Sequence, residues 1–91
     1  MRATLQLHRK FVFADGIVEM VLWQSPRRSS DKPHGVKYRL YFGRSGTCLV
    51  RYDNESDKGD HRHYGNLEES YHFVDVDRLV ADFMDDVRRL A

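Results

Sequence analysis

The sequence predicts an α+β domain: an antiparallel β-sheet of about five strands with one C-terminal amphipathic helix packed on it. Through residues 3–53, apolar and polar side chains alternate with the period of two that is typical of strands, and turn signals interrupt the pattern. After residue 75 the apolar spacing changes to that of a helix. The 91 residues contain no repeat or linker, so we expect one domain spanning residues 1–91.

The first two strands are predicted to form a hairpin. Residues 3–13 alternate between apolar and polar side chains, which indicates a strand with one buried face. Asp15 and Gly16 follow, and an Asp-Gly pair is a strong hairpin signal. Residues 17–23 are then apolar on both faces, which favours a central position in the sheet for the second strand.

Two further strands follow a polar connector. Residues 25–35 contain two prolines and no large apolar side chain, so we expect a solvated loop. Residues 36–42 alternate again and predict the third strand. Residues 43–46 supply a glycine-rich turn, and residues 47–53 predict the fourth strand.

The last strand region is harder to assign than the helix that follows it. Residues 61–64 and 71–73 are both plausible strand pieces, and residues 65–70 fit either a turn between them or an irregular run. From residue 76 the apolar spacing is helical, with Asp75 as a natural N-cap. We expect the outer face of this helix to be acidic and to bind a partner protein through Asp82, Asp85 and Asp86.

Composition limits the cellular setting. The single cysteine, Cys48, excludes an internal disulfide and a cysteine-based zinc site, which suits a reducing cytosol. No stretch approaches the roughly 20 apolar residues of a membrane span, and residues 1–8 lack the apolar run of a signal peptide. We therefore expect a cytoplasmic protein with no membrane association. A chain this short has a thin core, so a homodimer or a partner is expected to cover remaining apolar surface.

Charge is distributed unevenly along the chain. Residues 1–52 carry a formal charge of +7 and residues 53–91 carry −6, which together give the net +1. The basic half can attract a phosphate backbone, although the two halves can also simply balance each other within the fold.

Basic and aromatic side chains form a row on the predicted third strand. Lys37, Arg39 and Tyr41 share one face of it, and with Arg51 of the next strand they are predicted to bind RNA by charge and stacking. The alternative is a solvated sheet face. Glu19 lies among apolar residues of the second strand, and we expect it to pair with Arg39 or Lys37 rather than to serve as a catalytic carboxylate.

The segment 52–63 concentrates ionisable side chains in a connector between strands. His61 and His63 are two residues apart, so on a strand they point to one face, with Arg62 opposite. Two imidazoles on one face suit general acid–base catalysis near neutral pH. With Lys58 and Arg62 to stabilise phosphate charge and Asp60 to orient a histidine, the segment predicts metal-independent RNA cleavage. A hydrogen-bonded turn with packed histidines is the alternative interpretation.

A metal site is a weaker alternative for the same histidines. His61 and His63, together with Asp60 or Asp53, can bind zinc or nickel weakly. The spacing supplies no third strong ligand, so no metal and no cofactor is assigned. A calcium loop is excluded because Lys58 occupies the position that requires glycine.

Seven short motifs are spread along nearly the whole chain, at residues 18–23, 35–40, 51–55, 58–63, 68–69, 71–73 and 79–83. Together they resemble those of the TumE family of toxins from bacterial toxin–antitoxin modules. The resemblance implies a small growth-inhibiting protein paired with a neutralising antitoxin, typically a helix-turn-helix DNA-binding protein. It identifies no catalytic residue, so a non-enzymatic binding module that forms a complex with this antitoxin remains the alternative to a ribonuclease.

Overall fold

In the residues that the structure describes, the fold consists of a six-stranded antiparallel sheet and one helix that follows it. The computed structural model describes residues 4–25, 34–54 and 59–91. Each strand pairs with its neighbours in the sequence, so the sheet is a simple meander with β1 and β6 at its edges. This confirms the predicted α+β class. The elements are β1 (Thr4–Phe13), β2 (Gly16–Gln24), β3 (Val36–Arg44), β4 (Thr47–Asp53), β5 (His61–Tyr64), β6 (Leu67–Ser70) and α1 (Val76–Leu90).

The β1–β2 hairpin turns one position earlier than the Asp-Gly signal suggested. The turn residues are Ala14 and Asp15, with positive φ angles of 49° and 61° that favour the right-handed strand twist. Gly16 is already the first residue of β2. A Cβ atom there would lie 2.7 Å from the Gly43 carbonyl oxygen, so glycine is required by the close approach of β3 rather than by a turn.

The sixth strand resolves the uncertain region before the helix. Residues 67–70 form β6, which pairs with β5 across a turn at residues 65 and 66. Residues 71–73 lie outside the strands, although the buried Tyr71 ring packs edge-on against Tyr52 at 5.0 Å between centroids. Because β6 is exposed on both faces, it shows no apolar alternation from which a strand could be predicted.

One face of the sheet packs against α1 and forms the core. The helix begins after Asp75, whose side chain accepts a hydrogen bond of 2.7 Å from the Arg78 backbone nitrogen. No helix in the described part of the chain has the length and apolarity that crossing a bilayer requires. The core consists of Val18, Met20, Leu22, Val36, Tyr38, Leu40, Phe42, Val50, Tyr52, Tyr71, Leu79, Phe83 and Val87.

The other face of the sheet, here called the open face, carries charged and aromatic side chains in register. Because side chains alternate between faces, residues paired across neighbouring strands lie side by side on this face. The strand pairing therefore builds two rows that each cross the whole sheet. The rows are Lys10, Glu19, Tyr41, Arg51, His63 and Glu68, and His8, Val21, Arg39, Asp53, His61 and Ser70.

Candidate functional site

The two histidines of β5 lie next to each other on the open face, as predicted from their spacing. The ring centroids of His61 and His63 are 4.9 Å apart and the rings are nearly perpendicular. Strand pairing sets Asp53 beside His61 and Arg51 beside His63. The register thus places a carboxylate and a guanidinium of β4 next to the imidazole pair.

Both ring nitrogens of His61 face oxygen atoms. Its Nδ1 lies 2.9 Å from the Gly59 carbonyl oxygen, and its Nε2 lies 2.5 Å from Asp53 Oδ1. A carbonyl and a carboxylate only accept hydrogen bonds, so both contacts are satisfied when each nitrogen carries a hydrogen. The ring is buried, and both of its nitrogens face hydrogen-bond acceptors.

His63 lies two residues further along β5 and has a different environment. Its Nε2 atom is buried and has no hydrogen-bond partner among the described residues. Burial lowers the pKa of His63, and the nearby Arg51 and His61 act in the same direction, against the smaller effects of Asp53 and Glu68. His63 is therefore neutral near pH 7, with a nitrogen lone pair available as a base.

Asp60, which was predicted to orient a histidine, contacts His34. Its carboxylate accepts hydrogen bonds from His34 Nε2 at 2.9 Å and from the Tyr38 hydroxyl at 2.7 Å. The other nitrogen of His34 accepts from the Val36 backbone, and the ring stacks on Phe73 at 3.9 Å. Asp60 does orient a histidine, but it is His34, whereas the carboxylate beside His61 belongs to Asp53.

Arg62 lies on the opposite face from the two histidines, so the structure does not bring it to their phosphate-binding side. Its Nε donates to Glu69 at 2.6 Å and its NH1 to the Tyr52 hydroxyl at 3.3 Å. The guanidinium also lies over the rings of Tyr52, Tyr64 and Tyr71, at 5.6 to 5.8 Å from their centroids. Arg62 thus lies on the face of the sheet that packs against the helix, where it covers the rings of three tyrosines. Lys58, the other predicted phosphate ligand, lies outside the described residues.

The predicted RNA-binding residues share the open face with the histidines. Arg39 pairs in register with Asp53, and Tyr41 with Arg51. The Arg39 guanidinium lies 5.6 Å from the Tyr41 ring centroid, and Lys37 is exposed at the Trp23 end of the face. Lys37 and Arg39 therefore lie on the same face of the sheet as the histidine pair.

Two side chains near these cations make contacts that the sequence did not indicate. Glu19 lies 3.2 Å from His8 Nε2 on the neighbouring strand, so the expected pairing with Arg39 or Lys37 is wrong. Arg51 Nε lies 2.8 Å from Asp53 Oδ2. Asp53 consequently has a nitrogen of a neighbouring side chain close to each of its two oxygens, His61 at Oδ1 and Arg51 at Oδ2.

The three helix acids do not form one outer face, and this part of the prediction needs correction. Asp86 is buried, and its Oδ2 accepts hydrogen bonds of 2.5 Å from both Tyr52 and Tyr64. Asp82 is partly covered and accepts 2.7 Å from the Tyr71 hydroxyl. Of the three, Asp85 is freely exposed, with 76% of its side chain accessible. Asp86 follows Phe83 by three positions, which puts it on the buried side of the helix.

A comparison with known families agrees with the motifs of the sequence. A family model described as Toxin TumE matches residues 2–91. The match includes every strand, the helix and both histidines of the site. Among curated proteins and solved structures, no significant match is found. The chain therefore belongs to the TumE family of toxins.

Proposed function

We propose that this toxin is a metal-independent ribonuclease in which His63 and His61 act as base and acid. The observation that carries the proposal is the unequal environment of two adjacent imidazoles. His61 contacts an oxygen acceptor at each nitrogen, whereas His63 has a buried nitrogen without a hydrogen-bond partner among the described residues. General acid–base catalysis requires one group of each kind close together.

The proposed chemistry assigns a different role to each of these two imidazoles. His63 Nε2 takes the proton of a ribose 2′-hydroxyl, and the 2′-oxygen attacks the adjacent phosphorus. The bond from phosphorus to the 5′-oxygen breaks, and His61 donates a proton to that leaving oxygen, leaving a 2′,3′-cyclic phosphate. Arg51, beside His63 in register, offers a positive charge to the phosphate oxygens. Lys58 remains a proposed contributor.

Access to the pair requires movement of Glu68. Its Oε1 lies 3.7 Å from His61 Nε2 and 3.9 Å from His63 Nε2, and 36% of its side chain is accessible. The side chain of His61 is only 8% accessible and that of His63 is 19%. Like charges repel, so an approaching phosphate favours displacement of the Glu68 carboxylate. Lys37, Arg39 and Tyr41 then hold the flanking nucleotides along the open face.

A cleavage assay with purified protein tests the proposal. We expect His63→Ala and His61→Ala each to lower RNA cleavage about 10²–10⁴-fold, the usual contribution of an acid or base group. His72→Ala, which removes an exposed histidine after β6, is the matched control and should cleave normally. A 2′-deoxy sugar at the scissile position should block the reaction, and EDTA should leave it unchanged.

Circular dichroism and thermal melting must show that each variant is folded. A loss of cleavage is then due to the missing imidazole and not to unfolding. A folded double variant of His61 and His63 that still cleaves RNA or arrests growth would rule out catalysis by this pair.

A second candidate function is a non-enzymatic binding module, with the cytoplasm as the proposed location of either activity. Exposed apolar side chains favour it: Leu5, Val12 and Trp23 are accessible on β1 and β2. A neutralising helix-turn-helix antitoxin is the proposed partner for this surface. A second copy of the chain is the other proposed partner. On the helix, Asp85 is the accessible predicted contact, while Asp82 and Asp86 are engaged within the fold. Growth arrest by the folded double histidine variant would favour this module over the ribonuclease.

A further inference from the structure

We propose that Asp53, His61 and His63 form a binding site for one divalent transition-metal ion, with zinc as the best match. One carboxylate oxygen and two imidazole nitrogens from these residues lie within 4.8 Å of one another. Nitrogen and oxygen donors of this kind are those that zinc takes in proteins. The inference goes beyond the proposed function, because bound zinc would occupy the nitrogens that act there as base and acid: the metal-free form is the one that cleaves, and the ion would block it.

The orientation of the two rings supports the assignment. The Gly59 carbonyl oxygen accepts a hydrogen bond from His61 Nδ1. When Nδ1 carries this hydrogen, the lone pair that can bind a metal is on Nε2, and Nε2 faces Asp53. Such a backbone carbonyl behind a histidine is the usual outer partner of a metal-ligating imidazole. On the neighbouring ring, His63 Nε2 is buried without a hydrogen-bond partner among the described residues. A ligand bond to a metal would satisfy that nitrogen.

The distances between the donor atoms accommodate an ion once the side chains shift. Zinc bonds of about 2.0–2.2 Å at tetrahedral angles separate neighbouring donor atoms by roughly 3.3 Å. His61 Nε2 and Asp53 Oδ1 are 2.5 Å apart and must open by less than one ångström as the metal takes the place of the proton between them. Donors that lie as far apart as 4.8 Å must close towards each other by up to about 1.5 Å.

Glu68 supplies a fourth ligand. Its Oε1 lies 3.7 Å from His61 Nε2 and 3.9 Å from His63 Nε2, close to the separation of two ligands on one zinc ion. Two imidazoles and two carboxylates would neutralise the charge of a divalent ion. The site is therefore built from three strands, β4, β5 and β6, which no spacing in the sequence reveals.

Metal binding by the full chain, free of any affinity tag and stripped with EDTA before dialysis, tests the inference. Titration with zinc chloride against a chromophoric chelator should show one zinc ion per chain. His63→Gln and Asp53→Asn should weaken binding by more than the roughly 10–100-fold that loss of an outer partner costs. The control His72→Ala should bind like the wild type. Cobalt(II) should give the intense visible absorption of a four-coordinate ion, which His63→Gln should abolish.

Folding is checked by circular dichroism in EDTA, and His63→Gln is preferred to His61→Ala because His61 is the more buried ring. The inference is overturned if the wild type takes up no zinc. It is equally overturned if folded His63→Gln and Asp53→Asn both bind zinc as the wild type does. None of these readouts depends on RNA cleavage, so failure of the metal site and failure of the ribonuclease proposal are distinguishable.

Discussion

Asp86 is the side chain that most directly joins the helix to the strands of the site. Its carboxylate accepts hydrogen bonds from Tyr52 on β4 and Tyr64 on β5, and from Arg89 on the helix itself. Burial acts to raise the pKa of Asp86, but these three donors outweigh it and hold the pKa below its ordinary value. The ionised form therefore stabilises the fold.

Removing this carboxylate should destabilise the protein in a pH-dependent way. Asp86→Ala leaves two tyrosine hydroxyls without their acceptor, which we expect to cost about 1–3 kcal/mol at pH 7. Because the folded pKa is depressed, the contribution is complete above the unfolded value of about 3.9 and is lost as pH falls through the folded value. Urea unfolding at pH 7, 5 and 3 measures it.

The exposed Asp85 provides the matched control for that experiment. Asp85→Ala should change the free energy of unfolding by no more than about 0.5 kcal/mol, as surface substitutions usually do. If the difference between Asp86→Ala and the wild type were the same at all three pH values, the ionised carboxylate would not be what stabilises the interface.

Single residues also show what the sequence could and could not indicate. The common face of His61 and His63 follows from strand periodicity, and the buried position of Asp86 could have been found from its spacing to Phe83. That Asp53 and not Asp60 faces His61 depends on the register between β4 and β5, which pairs Asp53 with His61 across eight positions of sequence. No local pattern specifies that register.

At the scale of elements, the fold depends on the helix filling one face of the sheet. Phe83 is fully buried, and its ring packs edge-on against Tyr52 at 5.7 Å between centroids. Phe83→Ala should cost about 3–5 kcal/mol because it leaves a cavity, a large part of the 5–15 kcal/mol that stabilises a typical domain. Chemical denaturation measures the loss, with the exposed Val74→Ala as control. A cost below that of Val74→Ala would contradict the packing described.

Strong periodicity made the first four strands and the helix predictable, whereas β6 was not. Residues 67–70 are exposed on both faces, so neither of their faces is marked by apolar side chains. They pair with β5 because the turn at residues 65 and 66 returns the chain beside it, and Gly65 adopts a φ of 60° there. An edge strand of this kind is set by its neighbour and not by its own composition.

At the scale of the whole molecule, membership of a toxin family predicts an effect on growth. Induced expression should slow bacterial growth, and co-expression of the proposed antitoxin, sought in the adjacent gene, should restore it. His63→Ala should remove the effect if the proposed ribonuclease is correct, while His72→Ala should retain it. Growth curves with soluble protein confirmed by immunoblot measure this. Normal growth at full soluble expression would show that this member is not toxic.

The order of the elements along the chain also determines when the strands gain their helix contacts. Protein synthesis proceeds from the N-terminus, so the 15 residues of α1 leave the ribosome after the six described strands. Until then, Tyr52 and Tyr64 lack the Asp86 acceptor that joins β4 and β5 to the helix. It follows that a nascent chain in which α1 has not yet emerged leaves one face of its sheet uncovered and two tyrosine hydroxyls without their acceptor.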